Sequence, residues 1–398
     1  MRRRQFLSTL GAGLLPAQAT RKPNIVFILA DDMGWGDLSC YGNRGLKTPG
    51  IDRLAQEGTL FTQFYVCGSV CSPSRTAFTT GHFPARHRVH GHFATEELNT
   101  NRGMPHFLDP SVPTLARQLK KAGYTTAHYG KWHLGHQPAE YLPNARGFDY
   151  YFGLPYSNDM EPPFVKTEVP LMLYRNNEKI EFPVKQESLT ERYTDEALRF
   201  IRQSGKNPFL LYLPYAMPHL PISASSKKGT SRAGLYGDVI ETIDWSVGQI
   251  LAELKKQGVD NDTLVVFMSD NGPWLNLPDR MLQRGNEPWH TGFKSLLRGH
   301  KGNTYEGGPR VPGIFRWPGV IPPGQSTADI ASTLDIFPTL AKAAGTAMPD
   351  DRVYDGFDLL PMLRGAAPSP RQNMFYFRGA FLEAYREGPW KVRYARYE

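Results

Sequence analysis

Cys71 opens the run Cys71-Ser72-Pro73-Ser74-Arg75-Thr76-Ala77-Phe78-Thr79-Thr80-Gly81. A cysteine at such a position can serve nucleophilic catalysis, and the anion formed on attack needs nearby positive charge, which Arg75, four residues on, can supply. Asp31-Asp32 and Asp270-Asn271 are hard oxygen ligands. Together they suit calcium or magnesium rather than zinc, which takes nitrogen or sulfur. Lys131, His133 and His219 add a cation and two imidazoles. Lys301 begins the loop Lys301-Gly302-Asn303-Thr304-Tyr305-Glu306-Gly307-Gly308, which is glycine-rich but lacks the flanking strand and helix of a phosphate-binding P-loop.

The elements that must position these groups are legible as a pattern. Four apolar runs read as buried strands: Asn24 to Ala30, Tyr124 to Tyr129, Phe209 to Leu213 and Leu264 to Met268. Between them, Thr114 to Ala122 ends on Gly123, and Val239, Ile240, Ile243, Val247, Ile250, Leu251 and Leu254 recur at helical spacing before Gly258. Such alternation predicts an α/β fold, a parallel sheet covered by helices on both faces. In open sheets of this kind ligands bind beyond the carboxyl ends of the strands. Asp31-Asp32, Lys131 with His133, His219 and Asp270-Asn271 each follow one of the four strands, so they are expected in one shared site. Pro155 to Gln186 reads as loops over the sheet edge.

The Cys71 to Gly81 run resembles the type I, formylglycine-dependent sulfatase signature, and Gly123-Tyr124-Thr125 to Gly130-Lys131-Trp132-His133-Leu134-Gly135 resembles the second signature of that family. The likeness extends from Lys22 to about Tyr394 and is nearest the arylsulfatase A and N-acetylgalactosamine-6-sulfatase branch. It implies an alkaline phosphatase-like fold with a small C-terminal antiparallel subdomain. It also implies that a formylglycine-generating enzyme oxidises Cys71 to formylglycine, whose hydrate attacks sulfur with one hydroxyl and expels sulfate with the other. By the same resemblance Asp31, Asp32, Asp270 and Asn271 hold calcium, with magnesium the alternative, and the modified Cys71 also touches the ion. Lys131 binds a sulfate oxygen, His133 holds the diol and acts as base, and His219 is the general acid with Lys301 beside it. Ser157, in Gly153-Leu154-Pro155-Tyr156-Ser157-Asn158-Asp159, lies near the diol. The implied substrate is an organic sulfate monoester, a sulfated carbohydrate or an aryl sulfate. Two other readings are a phosphonate monoester or phosphodiester hydrolase, and a sulfated-glycan binder in which Cys71 stays a thiol.

At 398 residues with a formal charge of +8, the chain has room for one large α/β unit with a small appendage, and the mild basic excess suits anionic ligands without implying nucleic acid. Met1-Arg2-Arg3-Arg4-Gln5-Phe6-Leu7, a short apolar run and Ala17-Gln18-Ala19 together look like a twin-arginine export signal over 1–19. This predicts a bacterial periplasmic or secreted protein with no stable membrane insertion, since the run is too short to span a bilayer. Residues 20–370 are then the catalytic domain, and 371–398, with Met374-Phe375-Tyr376-Phe377 and Trp390-Lys391-Val392-Arg393-Tyr394, begin a small β subdomain that is either reduced or truncated. Three cysteines make no disulfide framework; Cys40 and Cys67 are read as structural. His82, His87, His90 and His92 lack zinc-site spacing and are read as pocket-mouth loop or solvated surface; Trp289 and His290 could stack on a sugar or aryl ring.

Overall fold

The computed structural model describes residues 21–167, 169–350 and 352–395; the export-signal reading of 1–19 falls outside them. Among the described residues fourteen strands are present: β1 Asn24–Ala30, β2 Thr59–Tyr65, β3 Thr125–Tyr129, β4 Tyr150–Gly153, β5 Leu173–Arg175, β6 Glu178–Glu181, β7 Phe209–Pro214, β8 Thr263–Ser269, β9 Arg310–Arg316, β10 Gln325–Thr327, β11 Ala331–Ser332, β12 Asn373–Arg378, β13 Phe381–Glu387 and β14 Trp390–Arg393. The α-helices are α1 Pro49–Gln56, α2 Cys71–Thr80, α3 Glu96–Asn101, α4 Leu115–Lys121, α5 Leu189–Ser204, α6 Gly234–Lys256, α7 Ile336–Ala343 and α8 Leu360–Leu363.

The first eleven strands make one sheet in the order β10-β2-β9-β8-β1-β7-β3-β4-β5-β6, with β11 continuing along β2. Its centre, β8-β1-β7-β3-β4, is parallel throughout. These central strands are largely buried on both faces, which is why β1, β7 and β8 read as near-continuous apolar runs. Side chains alternate between two cores. Val26, Ile28 and Ala30 of β1 face the layer of α5 and α6, where Ile240, Ile243, Val247 and Leu251 pack. Ile25, Phe27 and Leu29 face the opposite layer, with Leu115 and Leu119 of α4, Phe337 and Leu340 of α7 and Leu360 of α8. Thr114 caps α4 by accepting from Arg117 N, as its position before the apolar run leads one to expect.

The expected mostly parallel sheet is present, with β9 running antiparallel to both β8 and β2. One expectation is corrected. Residues 155–186 are not all loop: β5 and β6 form an antiparallel hairpin that extends the sheet beyond β4. Asn176, at φ 53°, sits in the left-handed region that a tight two-residue turn requires. The polar, largely exposed Glu178-Lys179-Ile180-Glu181 is an edge strand, and its composition carries no apolar signal.

Strands β12, β13 and β14 form a separate antiparallel sheet. It is tied to the main unit where Arg371, just before β12, places Nε and Nη2 on the Asp335 carboxylate at 2.8 and 2.6 Å, both side chains being almost wholly buried. Arg371→Ala should therefore lower unfolding stability by about 3–5 kcal/mol, the cost of leaving that carboxylate buried and unpaired. Urea denaturation followed by tryptophan fluorescence measures it.

Candidate functional site

The carboxyl ends of β8, β1, β7 and β3 lie side by side, and each hands its next residues to one cluster. Asp31 N donates to the Met217 carbonyl at 3.1 Å, Asp270 N to Ala30 at 3.0 Å, and Lys131 N to Pro214 at 2.8 Å. These bonds lock four strand ends in register. Asp32 and His133 adopt positive φ (67° and 59°), an uncommon conformation for residues with side chains and one that a packed site can hold. Gly130 is required for a different reason: a Cβ there would stand 1.8 Å from the Pro214 carbonyl.

Cys71 is the first residue of α2, at the helix end where the backbone dipole favours negative charge. Its Sγ lies 3.4 Å from Asp31 Oδ1, 3.5 Å from Lys301 Nζ and 3.7 Å from Lys131 Nζ. Ser72 anchors this helix start by donating to the His133 carbonyl (3.0 Å) and accepting from Phe93 N (2.9 Å). Lys131 pairs with Asp31 at 2.5 Å, and Lys301 with Asp32 at 2.7 Å. Burial would raise the Asp31 carboxyl, but Lys131 and Arg75 more than reverse this and hold it well below the usual carboxylate range.

Arg75 departs from expectation. It is fully buried, with Nε and Nη2 on Asp270 Oδ2 (3.1 and 2.9 Å), Nη2 also on Asp31 Oδ2 (3.0 Å) and Nη1 on the Lys131 carbonyl (2.7 Å). It does not line the cavity at Cys71, and its guanidinium orients the Asp31 and Asp270 carboxylates behind that residue.

Ligand-type atoms of Asp31, Asp32, Cys71 and His219 lie within 4.8 Å of one another. Asp270 Oδ1 accepts from Asp32 N at 3.2 Å, and Asn271 Nδ2 donates to Asp32 Oδ1 at 2.6 Å. Asn271 Oδ1 is buried with no hydrogen-bond partner. Three buried carboxylates beside a bare amide oxygen form the donor set of a hard divalent cation, so these residues fit one.

The cavity over Cys71, about 220 Å³, is lined among others by His133, Ser157, His219, Lys301, His92 and Trp274. His133 Nε2 lies 2.8 Å from the Phe93 carbonyl, which can only accept, so the proton sits there and Nδ1 keeps its lone pair, buried and unpartnered. His219 Nδ1 likewise meets the Leu220 carbonyl at 2.5 Å, leaving Nε2 3.7 Å from Asp32 Oδ2. The Ser157 hydroxyl is buried and unpartnered. Of the four clustered histidines only His92 reaches this cavity; His82 and His87 bond each other at 3.1 Å.

Trp274 was not anticipated. It lies under the Lys301 ammonium, 5.0 Å from its ring centre, and 5.7 Å from the His219 ring, while Trp289 is 70% exposed and outside the cavity. Its position three residues after Asn271, at the same strand end, was the available signal. Arg280 and Asp159 complete the wall, 4.0 Å apart.

The family model described as Sulfatase matches residues 23–346. The chain belongs to the sulfatase family. It is 40% identical to N-acetylgalactosamine-6-sulfatase of Rattus norvegicus over 96% of this chain and 73% of that protein. Among solved structures it resembles the PsFucS1 sulfatase from Pseudoalteromonas sp., at TM-score 0.79 and 30% identity over 94% of this chain and 78% of the other. It also resembles Ps i-CgsB, solved in complex with k-i-k-neocarrahexaose, at TM-score 0.76 and 30% identity over 93% and 83%. These relatives support the alkaline phosphatase-like fold and the sulfuric ester hydrolase class that the two sequence signatures implied.

Lys301 depends on a close backbone contact and on the C-terminal sheet. Gly272 N donates to the Gly308 carbonyl at 2.8 Å, and a Cβ on Gly272 would stand 1.9 Å from the Gly307 carbonyl. Gly272→Ala should displace the lysine loop and lower kcat/KM on an aryl sulfate by about 100-fold, the scale of a 1 Å misplacement, with circular dichroism unchanged. On the far side of the loop, Glu306 receives Tyr65 and Lys391, each at 2.7 Å. Burial would raise Glu306, but Lys391 outweighs it and the net shift is downward from the ordinary 4.5. The stabilisation is therefore complete above pH 4.5 and lost as pH falls through the folded-state value. Hydrogen exchange across β14 should accelerate in that acid window more than exchange in β1, and equal acceleration would refute this tether.

Proposed function

We propose that this protein hydrolyses an organic sulfate monoester, a sulfated carbohydrate or aryl sulfate, to alcohol and inorganic sulfate, with formylglycine made from Cys71 as the nucleophile. The reading rests on the Cys71 signature at the start of α2, above three carboxylates and beneath two lysines. One hydroxyl of the formylglycine hydrate attacks sulfur, and the other expels sulfate by collapse to the aldehyde, so water is the net co-substrate. Asp31, Asp32, Asp270 and Asn271 would hold calcium, or magnesium, which supplies a lowered pKa for the attacking hydroxyl and screening of the sulfate oxygens.

The chain's own residues account for the remaining steps. Lys131 and Lys301, on either side of Cys71, bind sulfate oxygens and offset the charge that grows on them. His133 uses its bare Nδ1 as the base for the diol, since Nε2 is committed to Phe93. His219 keeps Nδ1–H on Leu220 and turns Nε2 toward the departing oxygen. Burial and Lys301 hold the imidazole well below its ordinary pKa, so it takes up a proton only against the charge of a bound anionic ester and then passes it from Nε2, because an alkoxide leaves poorly without a proton or cation. Ser157 adds a free hydroxyl to the pocket wall.

We further propose residues 20–370 as the catalytic domain, 371–398 as the start of the C-terminal subdomain, and 1–19 as an export signal that places the enzyme in a bacterial periplasm or outside the cell, where it scavenges sulfated glycans. No helix among the described residues is long and apolar enough to cross a membrane.

The decisive measurement is the mass of the proteolytic Cys71 peptide after expression with a formylglycine-generating enzyme. A deficit matching thiol exchanged for aldehyde is expected, with aryl sulfate turnover that disappears in Cys71→Ala. An unmodified thiol under those conditions would sink the proposal. Chelation should abolish turnover, and calcium should restore it better than magnesium.

A further inference from the structure

A larger cavity, about 660 Å³, adjoins the catalytic one, and Val70, His92 and Gly302 line both. That volume lies in the range of roughly 300–1,000 Å³ typical of small-molecule sites, and it is more than a sulfate group needs. One wall is the segment around His90 to His92; the facing wall is the β12–β13 turn from Phe377 to Phe381. The two walls meet: a Cβ on Gly379 would stand 3.8 Å from the His90 carbonyl.

The chemistry of this cavity is selective. Its lining includes Arg102 and Arg378 and no carboxylate. Arg378 pairs with Glu383 at 2.9 Å, whereas among the described residues the Arg102 guanidinium makes a single long hydrogen bond, 3.5 Å, to the His92 carbonyl. Partial burial lowers Arg102 from its ordinary value, with no acid opposing the shift, so an anion beside it would recover electrostatic energy. Phe381, at the turn, leaves 76% of its surface exposed, and its ring is a flat apolar platform. A guanidinium with no carboxylate beside it and an exposed ring, in a cavity that shares Val70, His92 and Gly302 with the catalytic one, match a sugar that carries its own negative charge.

We propose that this cavity is a second sugar subsite, which takes the unit joined glycosidically to the sulfate-bearing ring, stacks it on Phe381 and reads a carboxylate or sulfate on it with Arg102. The inference builds on the sulfated-carbohydrate reading above and makes the substrate an anionic oligosaccharide. Recognition that spans two units would leave aryl sulfates as poor but usable substrates.

Calorimetry on the Cys71→Ala protein tests the subsite without turnover. The probes are tetrasaccharides from chondroitin 6-sulfate, heparan sulfate and carrageenan, each against its own sulfated monosaccharide. At least one tetrasaccharide should bind about tenfold or more tighter than its monosaccharide, a gain of about 1.4 kcal/mol. Adding Arg102→Gln or Phe381→Ala should erode that preference by about fivefold or more, as expected for truncating a main contact. In the Cys71 enzyme the same two substitutions should leave aryl sulfate kcat/KM within about twofold, since neither side chain lines the catalytic cavity. The subsite is overturned if no tetrasaccharide is preferred, or if the preference survives both substitutions. Tetrasaccharide preference lost with Arg102→Gln, in a protein that turns over no aryl sulfate, would uphold the subsite and overturn the sulfatase reading.

Discussion

Three buried carboxylates converge at the carboxyl end of the sheet, and the structure depends on what offsets their repulsion. Asp31, Asp32 and Asp270 are all buried, and so are Arg75, Lys131 and Lys301, apart from a tenth of the Lys301 side chain. Arg75 is the linchpin, since its planar fork bridges Asp31 and Asp270, which come from different strands, while also fixing the Lys131 carbonyl. A lysine could not bridge in that way. The six charges cancel in number, so a divalent cation would give the pocket the net positive charge that suits an anionic ester.

That balance constrains the backbone as much as the side chains. The parallel core β8-β1-β7-β3 presents four strand ends at one level, and short backbone bonds between them set the lateral spacing. Close approaches at Gly130 and Gly272 leave no room for a Cβ. The Lys301 loop is held from within by Gly272 and from outside by β14 and β13, through Lys391 to Glu306 and Glu383 to Thr304 (2.7 Å each). The small C-terminal sheet is thus part of the device that aims Lys301, and its first turn also walls the cavity beside the site. One appendage links lysine position to the shape of the approach.

The four central strands and the two strongest helices were legible in the sequence because each is a run rich in apolar, β-branched or aromatic residues or a 3.6-residue stripe ending on glycine. Strands β2 and β9 were missed because their neighbours supply the burial; β6 was missed because it is polar. The chemistry-bearing residues were legible because their spacing is local: Cys71 with Arg75 and Lys131 with His133 within the two signatures, and Asp270 with Asn271 as a strand-end pair. Trp274 was passed over for the more conspicuous Trp289, which is exposed and does not line the cavity.

By itself the sequence determined the family, the α/β class and the set of residues at the strand ends, because apolar periodicity and short-range motifs are properties of neighbours along the chain. Only the tertiary structure decided what each group faces. It made Arg75 a bridge between carboxylates, gave His133 and His219 their tautomers through the carbonyls of Phe93 and Leu220, and brought Arg102 and Phe381 to one cavity beside the catalytic pocket. Each of these contacts joins residues or segments through three-dimensional packing, and a charge or a lone pair acquires its role from the atoms within a few ångströms of it.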